Sequence, residues 1–404
     1  MTLVTGFGVI APNGTGAERF WEAAVEGRGA IAPLTRFDVS GSAAQLAGEV
    51  ADFDAAEHLP SRLLPQTDVS TRMALVAAEW AIDDAKVDTS AADDYQMAVV
   101  TGNACGGFEF THREFEKLWS RGPEHVSVYE SFAWFYAVNT GQISIRYGMR
   151  GPSSALVAEQ AGGLDAIGHA CRTVRGGTSL VVTGGVDSAF DPWGWAAHVS
   201  SGEVSTATDP LRAYLPFDVR AAGYVPGEGG AMLVVESAES ARARGILKAY
   251  GEIAGYASTF DPPPGSERPS GLLRAADLAL AAAGLRPGDI DVVLADAAGV
   301  PQRDGDEAAA IVALFGENGV PVTSTKPLTG RLLSGAGPLD IVTALLSMRD
   351  AVIPPIANIT EPSGEHQIDL VLGTARSAPV GAALVLARGR WGFNSAVVVR
   401  AIPD

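Results

Sequence analysis

The sequence predicts an α/β protein of stacked layers, built twice over from one plan. Three observations carry that expectation. Apolar strand-like runs alternate with amphipathic helix-like stretches along all 404 residues, with Gly or Pro at the joints, the pattern of a sheet covered by helices. Arg72 to Asn103 reads as an Ala-rich helix, an Asp-containing turn and the buried strand AVVTG, and Ser270 to Gly299 repeats that order, ending in VVLADAAG. Ala161-Gly162-Gly163-Leu164-Asp165 is answered by Ala336-Gly337-Pro338-Leu339-Asp340, each opening a helix. The halves are expected to divide near Glu239 to Lys248, where charged and small residues follow an apolar strand, giving units 1–240 and 241–404.

In order, Met1 to Ile10 reads as a strand followed by a Gly turn, without the basic start and apolar centre of a signal peptide. Gly106 to Trp119, GGFEFTHREFEKLW, reads as a helix with Phe108, Thr111 and Phe115 at i, i+3 and i+7 on one face. By pattern alone that stripe is a core face. Tyr129, Phe132, Trp134, Phe135 and Tyr136 form an aromatic cluster of the kind found in cores and in protein interfaces. Ser154 to Ala158 reads as a short apolar strand, Gln160 to Gly163 as a Gly-rich corner, and the helix beyond carries Leu164, Ile167, Cys171 and Val174 on one face. Such a corner lifts a side chain into a cleft in front of the free N–H groups of a helix start, where a thiol would ionise readily. The residue there is Gln160, whose neutral amide forms hydrogen bonds but has no nucleophilic chemistry. TGGVDS (Thr183 to Ser188) and PGEGGA (Pro226 to Ala231) lack the spacing of nucleotide-binding loops and read as close-packed turns.

Composition narrows the function classes. A chain of this length with 47% hydrophobic residues can bury a sizeable core as one large or two fused domains. A formal charge of -18 argues against nucleic acid or an acidic membrane as partner, since both require a basic surface. Cys105 and Cys171 are too few for a disulfide framework, no apolar run is long enough to span a bilayer, and a cytoplasmic location is expected. Cys105, in TGNACGGF, reads as a small buried residue, because no His-rich partner motif follows it. His58, His112, His125, His169 and His198 stand in no triad or metal spacing, and no metal is expected.

GPSSALVAEQAGGLDAIGHA resembles the active-site segment of the β-ketoacyl synthases, with Gln160 where their nucleophilic cysteine stands. TGFGVIAPNG near Met1, PFDVRAAGYVPGEGGAMLVVE (Pro216 to Glu236) and GRWGFNSA near the end extend the resemblance over nearly the whole chain. VAEQAGG narrows it to the chain length factor, or ketosynthase-β, subunits of bacterial type II aromatic polyketide synthases. The resemblance implies a thiolase-like fold, internally duplicated in five layers, αβαβα. It also implies where the helpers of a condensing site would stand: a histidine opening a His-Gly-Thr-Gly-Thr motif, and another five residues after a lysine. Asp296 takes the first position, with Asp304 and Glu307 pinning the alignment; Lys326 is present in STKPLTGR, and Arg331 takes the second. With nucleophile and both histidines replaced, the chain alone is not expected to condense acyl groups, and Asp296 and Arg331 are expected to pair.

By the same resemblance, Phe108, Thr111, Phe115, Phe132 and Trp193 line a tunnel at the interface with a catalytic ketosynthase-α subunit. There they bound the poly-β-ketone, and the bulk of Phe108 and Phe115 suggests an octaketide. No cofactor of its own is implied; the phosphopantetheine arm of an acyl carrier protein would enter through the partner. The competing expectation is a Gln-type malonyl-carrier-protein decarboxylase that primes synthesis, with Arg331 and Gln160 as donors to the enolate. A third is a stand-alone binding module built on a dead condensing enzyme.

Overall fold

A computed structural model describes residues 1–246, 248–263 and 265–402. Ten strands frame it. In the first half β1 (Thr2–Ala11), β2 (Met97–Gly102), β3 (Ser154–Leu156), β4 (Leu180–Asp187) and β5 (Gly229–Ser237) lie in the order β3-β2-β4-β5-β1. β2 runs parallel to β3 and β4, whereas β4 with β5 and β5 with β1 are antiparallel. In the second half β6 (Gly251–Phe260), β7 (Val292–Leu294), β8 (Pro321–Thr323), β9 (Ala382–Arg388) and β10 (Phe393–Arg400) lie in the order β8-β7-β9-β10-β6. Their directions repeat those of the first half, pair by pair. The chain is therefore one architecture used twice. Antiparallel pairing of Leu3 with Glu252 and Val4 with Gly251 joins β1 to β6 and makes one continuous sheet of the two.

Side-chain alternation then sets the layers. On β2, Ala98 and Val100 face one core while Met97 and Val99 face another; on β9, Ala383 and Val385 face the first core and Leu384 and Leu386 a third. Strands buried on both faces read as continuous apolar runs, which is why AVVTG and ALVLA carry no polar alternation. The shared middle core holds α3 (Gly162–Arg175) and α7 (Ala336–Asp350). On the outer face of the first half lies α1 (Val69–Asp84), started by Asp68, whose carboxylate accepts from Ser70 N. Outside the second half lie α5 (Leu272–Ala283) and α6 (Pro301–Phe315). The five layers are thus α, β, the α3/α7 pair, β and α. The middle pair packs closely, since a Cβ added at Gly337 would stand 2.7 Å from Leu164 Cγ. The echo between the Ala161 and Ala336 strings is a packing requirement at the pseudo-dyad.

Two local expectations are corrected. Thr183 to Asp187 form no turn: they are the fully buried end of β4, where Gly184 and Gly185 let neighbouring backbone approach. The strand before the Gln160 corner ends at Leu156, not Ala158, because the chain there leaves the sheet for a 3-10 turn, Glu159–Ala161. Among the described residues, no helix is long and apolar enough to cross a membrane.

Candidate functional site

Gln160 sits in that 3-10 turn, just before α3. Glu159 precedes it with φ +50°, a left-handed conformation unusual for a residue with a side chain, and its carboxylate accepts from Arg390 N at 2.9 Å. The expected cleft does not exist at this position. Gln160 is fully buried, and neither Nε2 nor Oε1 has a hydrogen-bond partner. The cause lies in the duplication: the matching turn of the second half, Leu333–Gly335, packs against the corner. An unpaired buried amide costs about 1–3 kcal/mol, so Gln160 is not there for stability.

Asp296, just past β7, and Arg331 do meet. Arg331 Nη1 lies 3.2 Å from Asp296 Oδ2, Nη2 lies 3.4 Å from Oδ1, and both residues are essentially inaccessible to solvent. The pair is closed off by β9: Arg388 N donates to Asp296 Oδ1 at 2.9 Å, and Arg331 Nη2 donates to Arg388 O at 2.6 Å. Burial works against the Asp296 carboxylate, but the cations of Arg331, Arg303 and Lys326 outweigh it and hold the acid below its ordinary range. Burial likewise opposes the Arg331 cation, and Asp296 and Glu159 reverse that effect. Lys326 Nζ donates to Ala295 O at 2.8 Å and to Asp340 Oδ2 at 2.6 Å, a brace between β7 and α7.

Three carboxyls around this pair, and Asp187 beside Ser334, ionise reluctantly. Burial pushes Asp304 up to about 7; burial and the nearby Asp296 charge push Glu307 up to about 7; burial pushes Asp340 and Asp187 up to about 6. Each binds its proton more tightly folded than unfolded, where the pKa is about 4. Their contribution to stability is therefore fullest below that value and is lost as pH rises through 6 to 7. Asp296, lowered in the fold, changes only at pH below about 4 and stays out of this window. Denaturant midpoints are expected to rise as pH falls from about 8 to about 6.5, below which the lowered His198 begins to oppose the carboxyls; a steady fall over that range would contradict the assignment.

The apolar opening lies beside the corner. α2 (Phe108–Arg121) and the segment after it enclose a cavity of about 810 Å³, lined among others by Phe108, Thr111, Phe115, Trp134, Tyr136 and Trp193. Four of the five tunnel residues inferred from the sequence are thus brought together. Phe132 is not among the lining residues: it packs edge-on to Tyr129, with ring centroids 6.0 Å apart, because the short helix Glu130–Ala133 turns its neighbours Trp134 and Tyr136 to the cavity instead. Trp193 lies on α4 (Pro192–Val199), 5.1 Å from the Phe108 ring and 6.2 Å from the Phe115 ring. A second cavity of about 390 Å³ shares Cys105, Phe108 and Tyr136 with the first and reaches Ala158 and Glu159. Phe108 stands at the junction.

Among the described residues, no group of His, Cys, Asp and Glu is arranged to hold a metal ion. Cys105 is buried, and burial and the nearby Asp187 carboxylate push its thiol well above the ordinary range, the opposite of an activated nucleophile. His198 is buried against Tyr224, with Nδ1 3.1 Å from the hydroxyl, and burial lowers it to about 4. One pairing escaped sequence reasoning. His112 Nδ1 stands 2.7 Å from Asp191 Oδ2, a contact between distant segments that no local spacing announces.

The family model for the beta-ketoacyl synthase N-terminal domain matches residues 2–241, and that for the C-terminal domain matches residues 250–360. A relative from Streptomyces coelicolor, named for a beta-ketoacyl synthase 2 of the actinorhodin polyketide, is 67% identical over 398 residues, 98% of each chain. The tetracenomycin polyketide synthase ketoacyl synthase beta subunit of Streptomyces glaucescens is 57% identical over 399 residues, again 98% of each. Among solved structures, the ishigamide ketosynthase/chain length factor superposes with a TM-score of 0.91 at 27% identity, covering 100% of this chain and 99% of that one. With its duplicated five-layer fold and its Gln-bearing corner, the chain belongs to the β-ketoacyl synthase family, in the ketosynthase-β or chain length factor branch of type II polyketide synthases.

Proposed function

We propose that the chain is the non-condensing subunit of a heterodimer with a Cys-containing ketosynthase-α, and that its cavity bounds the poly-β-ketone which the partner builds. One observation carries the reading. On a single chain, the chemical positions of a condensing site are filled by Gln160, Asp296 and Arg331, the last two locked on each other, while an apolar cavity remains open next door. The polyketide reaches that cavity from the partner, to which the phosphopantetheine arm of the acyl carrier protein delivers its units, and this chain needs no cofactor of its own. Exposed Trp119, Trp134, Phe135 and Trp391 supply the kind of aromatic anchors that protein interfaces bury. Bulky Phe108 and Phe115, each packed against Trp193, suit a wall placed for an octaketide rather than a longer chain.

The decarboxylase alternative needs donors free to hold an enolate. Arg331 is engaged by Asp296 and by Arg388 O, and the Asp296 carboxylate beside it would repel a second anion. Given acyl and malonyl carrier protein, the isolated chain is expected to form no carbon–carbon bond and to release no carbon dioxide above background. Adding a copurifying Cys-containing homologue should start both. Condensation by the isolated chain would refute the assignment, and decarboxylation alone would select the alternative.

A further inference from the structure

The His112–Asp191 contact ties together the two helices that wall the cavity. His112 lies on α2 directly after Thr111; Asp191 immediately precedes α4 and is its N-cap. The two oxygens of Asp191 divide the work. Oδ1 accepts from Gly194 N at 2.7 Å and so sets the first turn of α4, while Oδ2 faces His112 Nδ1 at 2.7 Å. The carboxylate is 3% exposed and the imidazole 25%, so water competes weakly for the contact. Between these two anchors stands Trp193, whose backbone N also points at Asp191 Oδ2, at 3.4 Å. The middle and far end of α4 are held elsewhere, by Trp195 Nε1 donating to Ser42 Oγ at 3.1 Å and by His198 against Tyr224. At the cavity end, the polar hold across to α2 is the His112–Asp191 pair.

We infer that His112 and Asp191 are positioning residues for chain length: they fix where Trp193 stands against Phe108 and Phe115, and so where the cavity ends, without touching the polyketide. Neither residue lines the cavity, and Trp193 does. A Trp side chain on an unanchored helix end would swing over several rotamers and blur the boundary. This rests on the reading of the cavity as the boundary of the product.

The test uses the assembled synthase, with its ketosynthase partner and carrier protein, and reads the mass profile of the products. His112→Ala is expected to lower the ratio of parent to longer products about tenfold, the scale of one lost hydrogen bond to a charged group. His112→Gln, which keeps an N–H donor, should retain the parent profile, and His112→Ala combined with Trp193→Ala should match Trp193→Ala alone. Asp191→Asn, which keeps the helix cap, should shift the profile in the same direction as His112→Ala. That variant also serves if His112→Ala fails to fold. If Trp193→Ala and Phe115→Ala lengthen the product while His112→Ala and Asp191→Asn do not, the positioning role falls and the cavity reading stands. A His112→Gln profile identical to that of His112→Ala would also overturn it, since ring bulk rather than the hydrogen bond would then be responsible. Unchanged profiles in all of these variants would remove the cavity reading and this inference with it.

Discussion

Phe115→Ala in the assembled synthase is expected to move the main product to a longer polyketide, by one ketide unit or more. Phe115 follows Thr111 by one turn on the cavity face of α2, and its ring packs at a tilt against Trp119 and Trp193, with centroids 5.3 Å and 6.2 Å away. It is only partly buried, so truncation opens space that joins the existing cavity rather than leaving a sealed void. The stability loss should therefore stay below the roughly 3–5 kcal/mol typical of a fully buried Phe→Ala change. The effect on length should be the larger one. A misfit of one methylene in an apolar pocket discriminates by about 10- to 200-fold, and a further ketide presses at least that much against the wall. Removing the ring removes that discrimination. Phe110, buried on the opposite side of the same helix, provides the control, since Phe110→Leu should leave the product masses as they were. Identical profiles for Phe115→Ala and the parent would exclude Phe115 as the wall.

Which parts of this were legible in the sequence follows from the range of the interactions. The duplication was legible because close packing of α3 on α7 restricts the same few positions in both copies, leaving Ala161–Asp165 and Ala336–Asp340 alike. The Asp296–Arg331 pair was legible because the two residues fall at family positions already known to share one site. The closure over Gln160 was not. A corner reads as open until the opposing turn, Leu333–Gly335, is seen to pack on it, and that contact belongs to the assembled halves. Phe132 was misplaced for a related reason: in a run of aromatics, one residue of rotation exchanges lining for packing, and the short helix that sets the rotation has no apolar period to read. His112–Asp191 lay beyond reach because each partner looks ordinary in its own segment.

Breaking the buried ion pair should give a large loss of stability. Arg331→Met leaves Asp296 ionised, buried and still accepting from Arg388 N, and is expected to cost about 3–5 kcal/mol. Asp296→Asn leaves the Arg331 guanidinium facing a neutral amide, with Arg388 O as its remaining strong acceptor, and should cost a comparable amount. The double variant carries no unmatched charge at this site. It should recover much of the loss, so that the sum of the two single effects exceeds the loss in the double variant by about 2 kcal/mol or more in a double-mutant cycle read by denaturant unfolding. Additivity within about 0.5 kcal/mol would mean that the pair is not coupled and that the ion pair does not fill the site as argued. The coupling bears on function as well as on stability. A thiol restored at position 160 would find Asp296 and Arg331 still locked on each other in place of the two histidines, with no imidazole at those positions to take up a proton. Returning one helper alone would strand the other's charge in the core. On the proposed reading, a stability barrier therefore stands against single reversions toward a condensing site, and the cavity wall is the part left open to change.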